Sequence, residues 1–313
     1  MEGVLQMQIL NELLDSLKVG SPQIFQDVQV FPLFSNRSES SSLLELDEAL
    51  AKGLVEVTEV SDGGSVPQLN VINSSPRDVI IYDGQQLIGA KQNRTVNITV
   101  VVPAHSTLPI PVSCVEQQRW HYTSPGFASS DRFAYPSLRR STHSEVTRSK
   151  ETLGTSDADQ QRVWRDISFK AARMDVFSDT LAMEDIYESQ APKLAELSEA
   201  FKIEDKQIGY LAFIKGGFAG CDVFGSTEVC RGKMEKLLRG YYLDSVDHEV
   251  VFDKVELDEI FREVRAAEHR EFETVGKGLE RRFDAPHVQG SWKEVDGSIP
   301  HVTILPKDAA VIR

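Results

Sequence analysis

Long apolar runs are missing from this chain of 313 residues. No stretch approaches the roughly 18 consecutive apolar residues of a membrane-spanning helix, so a soluble protein is expected. Cysteine is scarce. Cys114, Cys221 and Cys230 are an odd number without close CxxC spacing, which argues against a disulfide framework and for reduced thiols in the cytoplasm. Basic charge is short as well: 34 Lys and Arg face 48 Asp and Glu, a formal net charge of -14. A general binder of nucleic-acid backbones needs a broad basic face, so that role is excluded. Residues 1–150 hold 12 basic and 16 acidic groups, leaving 22 and 32 for the remainder, so the acidic excess lies mainly in the second half. The seven histidines show no HxH or HExxH spacing, and no metal site is read. The spaced glycines and lysine of a phosphate loop are absent too, and no motif names a cofactor.

What is present suffices for a substantial core, with 41% hydrophobic and 26% charged residues. The length exceeds a typical single domain. MEGVLQMQILNELLDSLKVG reads as an amphipathic helix stopped at Gly20, not as an export signal. Strand-like composition follows in Val28–Phe34 and clean alternation in Leu54–Val60, with a short helix between them that Ser42 would cap. Asp83-Gly84 between two apolar runs signals a hairpin. Residues 121–158 carry many Ser, Thr and Arg and little periodicity, which predicts a long loop. Helical spacing begins at Asp159 and returns in APKLAELSEAFK. A hairpin turning at Gly216-Gly217 precedes a helix capped by Ser226, and a further helix is predicted over about Glu256–Phe272. The fold class is therefore α+β: an N-terminal antiparallel β-sandwich or partial barrel with an N-terminal helix, then a helix-rich α+β lobe. The expected division is a β-rich lobe over 1–122, a Ser/Arg-rich loop or linker over 123–158 and an α+β lobe over 159–313.

The segment Lys91–Glu116 carries the densest chemistry. Pairing Arg94–Val102 with a strand after the loop Pro103–Thr107 sets Val102 against Leu108, Val96 against Cys114 and Arg94 against Glu116, so that apolar residues meet on one face. Pro109 and Pro111 make the second strand an edge strand or an irregular one. Lys91, Gln92, Asn93, Arg94 and Glu116 then form a charged lip with donors and acceptors in excess of a turn's needs. Two readings stay open: a site for an anionic or carbonyl ligand, or a cross-strand ion pair closing the sandwich. Cys114 reads as a packing residue and Asp83 as a turn former. Asp222, in the apolar segment GCDVFGS opposite Leu211, needs a partner, either the helix start at Gly225–Thr227 or a ligand. Arg132, Arg139, Arg140, Arg148 and Lys150 read as a solvated loop face or as a cover over an anion.

IYDGQQLIGAKQNRTVN, PAHSTLPIPVSCVEQQRW and GGFAGCDVFGS followed by LLRGYYLDSV resemble the ARG and rhodanese-phosphatase-superfamily-associated protein domain family, a prokaryotic family in which ARG stands for ADP-ribosylglycohydrolase. The resemblance runs from about Val28 to Val246. It implies a setting of ADP-ribose and phosphate metabolism and brings no catalytic residues with it. Two functional expectations result. One is binding or hydrolysis of a small phosphorylated metabolite, related to ADP-ribose or a nucleotide, at Lys91, Gln92, Asn93, Arg94, Glu116 and Asp222. The other is a non-catalytic interaction module serving a partner enzyme or a homo-oligomer.

Overall fold

Alternation at period two puts the first half of the chain into sheets. A computed structural model describes the backbone of residues 2–36, 42–61 and 63–307, and side chains from residue 8 onward within these. The chain begins with α1 (Glu2–Ser16), β1 (Lys18–Val19), β2 (Gln23–Phe25), β3 (Val28–Phe34) and β4 (Leu44–Glu45). After α2 (Leu46–Ala51) come β5 (Val55–Glu59), β6 (Gln68–Asn73), β7 (Val79–Ile81), β8 (Gln85–Gly89), β9 (Arg94–Val96), β10 (Val100–Val102), β11 (Ser106–Cys114) and β12 (Phe127–Phe133). Helices α3 (Pro136–Leu153), α4 (Gln160–Arg173), α5 (Met183–Ser189) and α6 (Ala191–Ala200) follow. The hairpin β13 (Gln207–Ile214) and β14 (Gly217–Phe224) leads into α7 (Thr227–Val246) and α8 (Leu257–Ala266). Then come β15 (Glu268–Phe272), β16 (Leu279–Asp284), β17 (Val288–Val295) and β18 (Ser298–Pro306). The class is α+β, as the sequence predicts.

A sheet ordered β12-β8-β9-β11-β6-β5 faces a short sheet, β10-β7-β4, across an apolar core that includes Val57, Val71, Ile81, Leu87, Val96 and Val100. The third sheet is ordered β1-β3-β13-β14-β18-β17-β16-β15, with β2 beside β3, so early strands join late ones through the β3–β13 pair. Both faces of this sheet are covered. Along β13, Tyr210, Ala212 and Ile214 enter the core beneath α3–α7, whereas Leu211 and Phe213 enter the core beneath α1 and α8. A strand buried on both faces reads as a continuous apolar run, and QIGYLAFI does so.

Several local expectations are overturned, each by a distant partner. Gly84 has the positive φ of a turn, +78°, yet β7 pairs with β10 and β4 while β8 pairs with β12 and β9. Asp83-Gly84 is thus a corner between sheets and not a hairpin. The stretch Arg94–Val102 is likewise two strands. Asn97 donates to Ser156 O at 3.1 Å and accepts from Ser113 Oγ at 2.8 Å, and Thr99 Oγ1 lies 2.8 Å from His301 Nδ1. Asn97 N still bonds Pro111 O, and the break between β9 and β10 falls over residues 97–99, where these side-chain bonds are made. The register differs accordingly: Val96 faces Val112 and Arg94 faces Cys114, so Glu116 lies beyond β11 and has no cross-strand partner in Arg94. β11 is not an edge strand, because it lies between β9 and β6. Val112 N bonds Pro67 O, so the missing donors of Pro109 and Pro111 fall on the side away from β6, before the pairing with β9 begins at Val112.

The predicted loop over 121–158 contains β12 and α3, with Gly154 at +70° as the left-handed C-cap of α3. The predicted helix over Glu256–Phe272 ends at Ala266. Ala267 is extended, and the next five residues pair with β16 instead. The β13–β14 turn uses Lys215 and Gly216, both at positive φ, and a bulge at Ala212/Phe213 places Asp222 opposite Tyr210 and not Leu211. Glu45 takes the cap position of α2 expected for Ser42 without a side-chain bond to the helix start, its carboxylate accepting from Tyr82 instead. Ser226 caps α7 by accepting from Val229 N, and Asp159 caps α4.

Candidate functional site

Five of the six candidate residues gather where β8, β9 and β11 end. Lys91, Gln92 and Asn93 form the turn between β8 and β9, and Arg94 opens β9. Glu116 follows β11, with its Oε2 2.6 Å from Arg119 and 3.2 Å from Asn93 N. Burial opposes ionisation of Glu116, but the Arg119 guanidinium and the Asn93 N–H outweigh it and hold the carboxyl below its usual range. Arg119, which sequence reasoning missed, staples the turn: it donates to Ala90 O at 2.7 Å and Asn93 Oδ1 at 3.1 Å. Its position three residues after Glu116 was the available signal.

Arg94 is 0% exposed. Nη1 donates to Gln92 O at 3.0 Å and Gln92 Oε1 at 3.3 Å. Its nearest carboxylate is Glu59 on β5, at 3.7 Å, beyond hydrogen-bond reach. Nε and Nη2 of Arg94 and Oε2 of Glu59 have no hydrogen-bond partner. The roof is aromatic: Arg94 lies 5.6 Å below the centroid of Trp120, and Lys91 Nζ lies 5.5 Å from Trp120 and 5.1 Å from Tyr122. Trp120 is 45% and Tyr122 50% exposed. Cys114 is fully buried beside Arg94, and burial pushes its thiol up to about 11, so it is protonated at neutral pH and not a nucleophile. Lys91, Arg94 and Arg119 face Glu59 and Glu116, which leaves one positive charge in excess within an acidic protein.

Asp222 does not join this lip. It belongs to a buried hub on the α3 side of the large sheet. Arg139 clamps it with two bonds, Nη1 to Oδ2 at 2.9 Å and Nη2 to Oδ1 at 2.7 Å, and Nη2 also reaches Asp83 at 3.0 Å and Thr303 Oγ1 at 3.0 Å. Tyr210 donates to Asp222 at 2.7 Å, and His301 Nε2 lies 3.2 Å away. Burial alone would raise the Asp222 carboxyl, but the guanidinium holds it well below the ordinary range. Asp83, Asp222 and His301 have the donor types of a metal site, yet Arg139 already bridges both carboxylates as the local cation. The hub ties together α3, β13, β14, β18 and the Asp83 corner. Neither helix start nor ligand is needed to account for Asp222.

Arg139 thus changes from an exposed loop cation to the centre of the hub. Among the other basic residues, Arg132 reaches Glu188 at 3.2 Å, Arg148 pairs with Glu145, and Lys150 lies 3.2 Å from Glu280. No helix among the described residues is long and apolar enough to cross a membrane.

No curated protein and no solved structure matches the chain. One family model does, over residues 16–305, extending the resemblance of the three sequence blocks through the C-terminal strands. The chain therefore belongs to the ARG and rhodanese-phosphatase-superfamily-associated protein domain family.

Proposed function

We propose that this protein binds a small anionic metabolite with a planar group, of the nucleotide or ADP-ribose type, at the lip formed by Lys91, Gln92, Asn93, Arg94 and Glu116 under Trp120 and Tyr122. The observation that carries this reading is Arg94, a fully buried guanidinium with two nitrogen atoms unpartnered. Leaving a buried donor unmet costs about 1–3 kcal/mol, more for a charged group. An anionic oxygen that reaches Arg94 on displacement of the Trp120 ring would meet those donors. The exposed rings supply stacking surface for the planar part, and the local positive excess favours a negative ligand. Asp222 is left out of the proposed site because the hub satisfies it.

The test is thermal unfolding with a panel of nucleotides and sugar phosphates. A ligand at about 100 times its Kd stabilises by about 2.7 kcal/mol, a readable rise in Tm. The double variant Arg94→Met/Glu59→Gln removes the cation without stranding a buried carboxylate, and replacing such a pair by less polar groups is often neutral or stabilising. It should fold and lose the shift. The proposal fails if no compound moves the wild-type Tm, or if the shift survives in the double variant.

A further inference from the structure

We propose that the cleft between α3, α4 and residues 249–251 is a second, separate site that binds the phosphate group of a small phosphate ester. The cleft measures about 450 Å³, within the roughly 300–1,000 Å³ of small-molecule sites. Arg140, Arg162 and Arg173 line it, against Asp166 and Glu249. Three guanidinium groups on one cleft are unexpected in a chain of formal net charge -14, and their planar forks suit phosphate oxygens.

The arginines are held in place by contacts behind them. Glu145 holds Arg162 at 2.8 Å, Asp247 holds Arg173 at 2.7 Å, and Arg140 packs 5.4 Å from the centroid of Phe252. Anchoring of this kind reduces the ordering cost of binding. Ser141 donates to Asp166 at 2.9 Å, and Arg162 Nε lies 3.9 Å from the same carboxylate, which pairs one of the two acidic groups within the cleft.

An independent observation also points to a ligand. Tyr135 lines the same cleft and is 2% exposed, and its hydroxyl has no hydrogen-bond partner. Buried hydroxyls are normally paired. Its phenol stays protonated, because burial and the neighbouring Asp244 push it well above its ordinary range. It is therefore an O–H donor lacking an acceptor, with Asp244, Asp166 and Arg173 as its charged neighbours, in a cleft that three guanidinium groups line. A phosphate oxygen that reaches it would supply the missing acceptor. Phe169, 57% exposed, and Val251, 72% exposed, provide an apolar rim for the organic part of the ester. None of these residues belongs to the lip, so this site stands or falls independently of the function proposed above.

The experiment titrates the full chain with ribose 5-phosphate and, separately, inorganic phosphate by isothermal titration calorimetry. Tyr135→Phe keeps the ring and removes only the donor; Arg140→Gln removes one cation; Arg94→Met/Glu59→Gln alters only the lip. We expect at least one probe to bind, with about tenfold weaker affinity in Tyr135→Phe and in Arg140→Gln, the loss typical of a charge-assisted hydrogen bond. A component of the binding should persist in Arg94→Met/Glu59→Gln. Tighter binding of the ester than of inorganic phosphate supports the proposal as stated, whereas equal affinity overturns its ester part and leaves a free-phosphate site. The site itself is overturned if neither probe binds, if both cleft variants bind as the wild type does, or if the lip variant abolishes all binding.

Discussion

Replacing Asp222 by Asn tests whether this carboxylate is structural or functional. The change keeps the shape and one acceptor oxygen but removes the charge that faces Arg139. Asp222 is 0% and Arg139 3% exposed, so water cannot replace the lost partner. Of its two carboxylates the guanidinium would keep only Asp83, one bond at 3.0 Å, and in either amide orientation Arg139 would point a donor at the new NH2 group. Removing one partner of a buried pair costs about 3–5 kcal/mol. Urea unfolding followed by circular dichroism should register this loss, and the double variant Arg139→Met/Asp222→Leu should be less destabilised than Asp222→Asn. The acid limb should change as well. Because the folded carboxyl is held below its unfolded range, its contribution is fully present above the unfolded value, near pH 4, and is lost as pH falls through the folded value. Asp222→Asn should flatten that limb. An Asp222→Asn protein within about 1 kcal/mol of wild type that no longer binds ligand would refute the reasoning and return Asp222 to the functional site.

Two further outcomes are expected. Burial lowers Lys293 to about 8, so between pH 8 and the unfolded value near 10.5 the unfolded chain binds more protons and stability should rise with pH. Lys293→Met should remove that rise, on the order of 3 kcal/mol by the 1.36 kcal/mol per unit rule; an unchanged slope in urea titrations would contradict it. Cys114, buried with its thiol raised to about 11, should resist iodoacetamide in the native protein at pH 7. Cys114→Ala should keep any ligand-induced Tm shift found for the wild type, and loss of that shift would restore the thiol as a binding group.

Local features were legible wherever the deciding interaction lies within a few residues. The alternation of Val55–Glu59, the cap at Ser226, the onset of helix at Asp159, and the turn character of Asp83-Gly84 and of the Lys215–Gly217 region depend on near neighbours. So did the gathering of Lys91–Arg94 with Glu116, because β9 and β11 are close in sequence, although the register was two residues off. The helix α3 was not legible. PSLRRSTHSEVTRSKETL has no apolar stripe, yet it buries Arg139, His143, Glu145 and Lys150, since their partners come from strands as far away as Asp222, Gln289 and Glu280.

The sequence by itself determined the class, the acidic balance, strands such as Val55–Glu59, the cap at Ser226, and the region in which charged groups would collect. Tertiary structure alone decided how those charges were matched. It gave Glu116 to Arg119 and Asp222 to Arg139, and it left Arg94 buried without a close carboxylate. The reason is physical: periodicity and turn chemistry are summed over neighbouring residues, whereas the pairing of a buried charge depends on which distant segment packs against it.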